Sequence, residues 1–116
     1  MNKILVVNPN NRLRTPLAAI EPPIWAGLIS SYFLGSGILD AEAHDLTIDE
    51  TINGIKVLKP DEVIIVVMGN NPSVSSTPKM PIAEQIAGGL DGMKVSLTGI
   101  HPIAAGSRFP VIKQPF

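Results

Sequence analysis

Short, almost wholly apolar runs alternate along the chain with amphipathic or polar segments. Continuous aliphatic runs stand at Lys3–Val7 and Glu62–Met68, and each gives way to Asn, Gly or Pro. Such runs are typical of parallel strands buried on both faces, which need no alternation of apolar and polar residues. Shorter runs predict two further strands at Ala41–Leu46 and Lys94–Gly99. A fifth strand is predicted at Val111–Lys113, although two nearby prolines are unfavourable in a strand.

Helical periodicity fills the spaces between these strands. The first helix is predicted over 24–37, where the apolar residues at helical spacing are Ile24, Leu28, Ile29, Tyr32 and Phe33. The second follows Thr47, which stands three residues before Glu50 in the spacing of a capping box, and Pro60 ends it. The apolar face of this second helix is formed by Ile48, Ile52, Ile55 and Leu58. A third helix is predicted over Met80–Leu90.

Strands that alternate with helices predict right-handed crossovers and a parallel sheet. We therefore expect residues 1–116 to form one doubly wound α/β domain of the flavodoxin or Rossmann-like kind. Its four or five parallel strands would carry helices on both faces, with the first and third strands central. Ligands of such sheets bind beyond the carboxyl ends of the strands, where the strand order reverses. The polar loops 8–23, 69–78 and 99–106 all follow strands, so we expect them to gather at that edge.

Composition removes several classes of function. The 116 residues carry a formal net charge of −1, which is unfavourable for nucleic acid or for an anionic membrane surface. No apolar run approaches the roughly 20 residues that span a bilayer, and no secretory signal is recognisable, so a cytoplasmic protein without membrane contact is expected. The chain contains no Cys, which excludes disulfides, thiol nucleophiles and a Cys-ligated iron–sulfur cluster within it.

Phosphate-binding signatures are missing from the first loop. The sequence "NPNNRLRTP" has no glycine, so it lacks the dinucleotide fingerprint, and no Walker motif occurs anywhere. Hydroxyl groups cluster instead after the third strand, at Ser73, Ser75, Ser76 and Thr77. Gly69 precedes this cluster and two prolines flank it, which predicts a stiffened, hydrogen-bonding loop that faces a ligand.

Five segments occur in an order that points to a family. They are "ILVVNP" (Ile4–Pro9), "PPIWAGLISSYF" (Pro22–Phe33), "HDLT" (His44–Thr47), "KPD" (Lys59–Asp61) and "TGIHP" (Thr98–Pro102). Together they span nearly the whole chain. The layout resembles the N-terminal cobalamin-binding domain of cobalamin-dependent radical SAM enzymes, whose Gly-Gly-x-His-Pro turn is matched here with Thr98 in place of one glycine.

The resemblance implies that a corrin ring lies flat on the carboxyl edge, with its nucleotide tail between the loops after the third and fourth strands. The residues implied to contact cobalamin are Asn8, Pro9, Gly69, Ser73, Ser75, Ser76, Thr77, Thr98, Gly99, Ile100 and His101. No histidine ligand to cobalt is expected, because no Asp-x-His-x-x-Gly follows the first strand, and His101 matches the turn histidine. A bulky residue at Gly99 is expected to fill the groove and leave the fold intact.

The absent cysteines imply that the chain is not catalytic alone. A radical SAM catalytic domain or subunit, such as that of a methyltransferase, would supply the cluster, and self-association is the other partnership considered. A plainer interpretation stays open for each motif, since Ser73–Thr77 has ordinary loop composition and His101 is also a normal turn residue. The alternative function is a non-catalytic α/β interaction or regulatory domain that binds no corrin.

Overall fold

Four parallel strands form the sheet. The structure, a computed structural model, describes residues 3–10, 37–67, 72–99 and 109–112, with the backbone alone for residues 72–79. The strands are β1 (Ile4–Asn8), β2 (Gly37–Asp40), β3 (Glu62–Val66) and β4 (Lys94–Thr98). They lie in the order β2-β1-β3-β4, and every neighbouring pair is parallel. This order confirms the doubly wound α/β fold and the central position of the first and third strands.

The two central strands bury side chains on both faces of the sheet. One face holds Val63 and Ile65 of β3, and it packs against helix residues that include Ile55, Ile82 and Ile86. The opposite face holds a smaller cluster of Val6, Ile64 and Val66. Alternate residues of one strand therefore enter different clusters, which explains why the aliphatic run of β3 is continuous.

Two helices are described, α1 (Ile48–Leu58) and α2 (Pro72–Gly88). The predicted capping box is present, because Thr47 Oγ1 accepts a hydrogen bond of 3.1 Å from Glu50 N and Glu50 Oε1 accepts one of 2.9 Å from Thr47 N. Leu58 does not join the apolar face as predicted. The helix ends there, its side chain is exposed, and its carbonyl accepts a hydrogen bond from Lys3 Nζ.

The second strand lies earlier than predicted. It occupies Gly37–Asp40, and residues 41–45 form turns instead of the expected strand Ala41–Leu46. The turn bonds run from His44 N to Asp40 O and from Leu46 N to Ala41 O, and Asp45 has a positive φ of 50°. Asp tolerates that conformation better than most residues, which favours a turn at this position. The weak alternation of apolar and polar residues in the segment was therefore not the signal of a strand. The segment "HDLT" therefore follows the second strand and does not end it.

The helix after β3 begins eight residues before its predicted start at Met80. Because α2 starts at Pro72, the hydroxyl residues Ser73 to Thr77 belong to its first two turns, and the predicted loop is wrong. Proline is favoured at the first position of a helix, where its fixed φ suits the turn and no N–H is needed. Pro72 and Pro78 flank the hydroxyl residues in the sequence and suggested a loop, because a proline lacks the N–H of an internal helical bond.

A short segment occupies the place of the predicted fifth strand. Leu97 N donates to Pro110 O, and Ile112 N donates to Leu97 O, both at 2.8 Å, which makes one parallel bridge between Leu97 and Val111. The predicted strand therefore has its position beside β4, whereas Lys113 lies outside the described residues. The predicted first helix over 24–37 also lies outside them, apart from Gly37, which begins β2. No helix among the described residues is long and apolar enough to cross a bilayer.

Candidate functional site

The strand order reverses between β1 and β3. The chain leaves β1 for β2 on one side of the sheet and leaves β3 for β4 on the other, so this is the switch point at which doubly wound folds bind ligands. Pairing between β1 and β3 ends at Val7 and Ile65. Each strand stays paired one residue longer with its outer neighbour. We call the place where the pairing between β1 and β3 ends, at residues 8–10 and 66–67, the switch-point gap.

Two asparagines attach the β1 side of the gap to the turn after β2. Asn8 Nδ2 donates to Asp40 Oδ1 at 2.9 Å, and Asn10 Nδ2 donates to Asp45 Oδ1 at 2.9 Å and to Leu46 O at 3.2 Å. Both asparagines are buried. A backbone bond of 3.0 Å from Ala41 N to Asn8 O adds to this attachment. The amide donors of Asn8 and Asn10 therefore hold the fold together at this edge.

A backbone hydrogen bond attaches the β3 side of the gap to β4. Val67 N donates to Thr98 O at 2.7 Å, and Gly99 follows with a φ of 131°. A Cβ at position 99 would lie 2.4 Å from the carbonyl oxygen of Val67. Gly99 is therefore required by the close approach of the neighbouring backbone. The expectation that a bulky residue there would leave the fold intact is wrong, because the clash is with the chain itself.

The Thr98 hydroxyl also acts within the fold. Its Oγ1 donates a hydrogen bond of 2.9 Å to the carbonyl of Ile112, so it connects β4 to the segment in the fifth-strand position. Thr98 is 1% exposed. Asn8 and Thr98 end strands that are separated by β3, which places them about 10 Å apart at the ordinary strand spacing.

The structure places only some of the predicted contact residues at the carboxyl edge. Ser73, Ser75, Ser76 and Thr77 lie in the first two turns of α2, which follows β3 at the carboxyl edge. Gly69, Ile100 and His101 lie outside the described residues, so their predicted roles stay predictions. Asn8, Pro9, Thr98 and Gly99 lie at the predicted edge of the sheet.

Sequence reasoning missed the acidic partners of this edge. Asp40 and Asp45 accept the asparagine amides, and Glu42 between them is fully buried. Asp40 ends the second strand, and this position would have marked it as a candidate. The strand was predicted at Ala41–Leu46, so Asp40 was not recognised as a strand end. No group of three His, Cys, Asp or Glu residues in the described ranges is arranged to hold a metal ion.

A hollow of about 350 Å³ lies at the opposite end of the molecule, near the start of β4. Apolar side chains that line it include Leu90, Met93, Val95 and Phe109, and the charged residues are Asp91 and Lys94. Lys94 Nζ lies 3.7 Å from Glu62 Oε1. None of the residues expected to contact cobalamin lines this hollow, so it is separate from the switch-point gap.

Comparison of the chain with models of protein families, with curated proteins and with solved structures gave no match. The assignment of the fold therefore depends on the order and direction of the strands.

Proposed function

We propose that this chain is a cobalamin-binding module that holds the corrin at the carboxyl edge of its sheet and places no protein nitrogen on cobalt. The observation that carries the proposal is the switch-point gap, where β1 and β3 stop pairing while each remains attached to its outer neighbour. Gaps at this position are where doubly wound sheets accept ligands. The five matching segments supply the choice of cobalamin.

The start of α2 provides chemistry that suits the cofactor. Cobalamin combines a broad apolar ring, amide arms and a phosphate in its nucleotide tail. The helix follows β3 in the chain and has four hydroxyl residues in its first two turns and no acidic residue in its first turn. Hydroxyl groups both donate and accept, and the amino end of a helix favours negative charge. Both properties suit the amide arms and the phosphate.

The chemistry of methyl transfer would come from another domain or subunit. A radical SAM cluster is held by cysteine thiolates, and the sequence has no Cys. In this proposal the chain binds and orients cobalamin, and a radical SAM partner carries the cluster and the substrate.

Binding can be tested with hydroxocobalamin. The purified protein is incubated with the cofactor and passed through a gel-filtration column, and the visible spectrum of the protein peak is recorded. Cobalamin should elute with the protein at a stoichiometry near one. A protein peak without corrin absorbance at micromolar concentrations of both would contradict the proposal.

The mode of binding can be tested with cobinamide, a corrinoid without the nucleotide base. In its reduced cobalt(II) form, splitting from an axial nitrogen in the EPR spectrum must come from the protein, because the four corrin nitrogens are equatorial. None is expected. The chain has two histidines, so a variant with His44→Ala and His101→Ala together is the matched control for cobalt ligation. Nitrogen splitting that disappears in this variant would show a histidine ligand and would refute the proposed mode.

A second candidate is an interaction or regulatory domain that binds no corrin. It is favoured by the hydrogen bonds of Asn8, Asn10 and Thr98, whose side-chain donors already serve the fold. Large hydrophobic residues that are exposed in the described ranges are Ile38, Val57 and Leu58. Sedimentation should distinguish the two candidates. Concentration-dependent association together with failure to retain cobalamin would favour the second.

A further inference from the structure

The direction of the backbone groups at the switch-point gap follows from the strand register. In a parallel sheet, alternate residues of a strand bond to neighbours on opposite sides. Ala41 N bonds to Asn8 O, so Asn8 faces β2 and the residues on either side of it face β3. Val67 N bonds to Thr98 O, so Val67 faces β4 and Val66 faces β1. With Val7 paired to Ile65, the next bond between β1 and β3 would run from the N–H of residue 9 to the carbonyl of Val66.

Residue 9 is proline and has no N–H to give. The ladder between the two central strands therefore ends at the switch point for a chemical reason. An ordinary residue at position 9 would supply the missing donor and extend the pairing by one bond. The attachments on either side, from Asn8 to Asp40 and from Val67 to Thr98, hold the two strand ends to different neighbours.

We infer that Pro9 is a positioning residue for the bound ligand, because it ends the ladder between β1 and β3 and leaves the Val66 carbonyl to a hydrogen-bond donor of that ligand. Val66 is 1% exposed, and a carbonyl in such surroundings is stabilised by a donor. The primary amide arms of a corrin are donors of this kind. The identity of the ligand rests on the proposed function, whereas the effect of Pro9 on the sheet does not.

The test of the sheet is the variant Pro9→Ala. Its new amide should exchange with deuterium as slowly as the amides of the central strands, as measured by NMR. Pro60→Ala is the matched control for the loss of a buried proline, since Pro60 precedes β3 and lies outside the switch-point gap. An amide at position 9 that exchanges as fast as one in a free peptide would overturn the inference, whatever the protein binds.

The test of the ligand compares two corrinoids in both proteins. Cobinamide has amide arms that donate N–H groups, and the heptamethyl ester of cobyrinic acid has ester arms that do not. The wild-type protein should prefer cobinamide, because the ester has lost every amide donor. Pro9→Ala should lower that preference by about two- to tenfold, the effect of one hydrogen bond, and should weaken the binding of cobinamide by the same factor. If Pro9 had only a structural role, Pro9→Ala would lower the affinities for cobinamide and for the ester equally.

Failure of the proposed function and failure of the positioning role of Pro9 give different results. If the residue-9 amide is protected but the wild-type protein binds neither corrinoid, the proposed function fails and the ligand half of the inference fails with it. If the wild-type protein binds cobinamide and Pro9→Ala binds it equally well, the proposed function stands and the positioning role of Pro9 is refuted.

Discussion

Gly99 and Gly92 both have positive φ values, but their surroundings differ. Gly99, at 131°, lies against the backbone of Val67, whereas nothing lies within 4 Å of a Cβ added to Gly92, at 81°. The pair therefore separates the effect of backbone conformation from the effect of a steric clash. The sequence marked Gly99 as a candidate site residue but could not show that its neighbour is another strand.

We predict that Gly99→Ala lowers the free energy of unfolding by more than about 2 kcal/mol, because strain and clash act together. Gly92→Ala should lower it by about 1 kcal/mol through backbone strain alone. Urea unfolding of the three proteins measures both changes. Equal effects of the two substitutions would show that β3 and β4 do not approach as closely as the structure indicates.

Local signals predicted α1 well, whereas β2 and α2 depended on more than local pattern. The capping box of α1 lies within four consecutive residues, so its sequence alone was sufficient. The strand assigned to Ala41–Leu46 had only weak alternation, and pairing with β1 selects Gly37–Asp40 instead. Pro72 and Pro78 suggested a loop, although Pro72 occupies the helix start where proline is favoured.

The N-cap of α1 gives a prediction for that helix. Thr47→Ala should reduce the free energy of unfolding by about 1 kcal/mol, because the Glu50 amide would lose its acceptor. Glu50→Gln is the matched control, since glutamine keeps an oxygen that can accept from Thr47 N. It should change stability much less. Urea unfolding measures both, and a larger effect of Glu50→Gln would contradict the role of the capping box.

At the scale of the whole molecule, the sequence predicted the class of the sheet and its central strands, and it placed the candidate site at the carboxyl edge. It could not predict how the two sides of the site are held. The contact between Asn10 and Asp45 joins residues 35 apart, and it requires the turn at 41–45 that no local pattern indicated. Hydrogen bonds of this kind appear only when the strand register is known.

The strand order also predicts where the native structure opens. Amides of β3 have strands on both sides and should exchange only through global unfolding, whereas Ile38 in the edge strand β2 is exposed and should exchange through local opening. Native-state hydrogen exchange over a series of low denaturant concentrations measures this difference. Exchange of Ile38 with the same denaturant dependence as β3 would indicate a single cooperative unit.

The central place of β1 has a consequence for synthesis on the ribosome. Asn8 finds its partner Asp40 32 residues later, and Lys3 finds Asp61 58 residues later. β1 is made before both of its neighbours, so it is covered on one side by β2 and on the other only when β3 has emerged. Non-local pairings of this kind slow folding, because a long loop must close before any contact compensates its entropy. During that interval the aliphatic run of β1 is exposed, so chaperones that bind nascent chains should act on the first half of this protein before the second half exists.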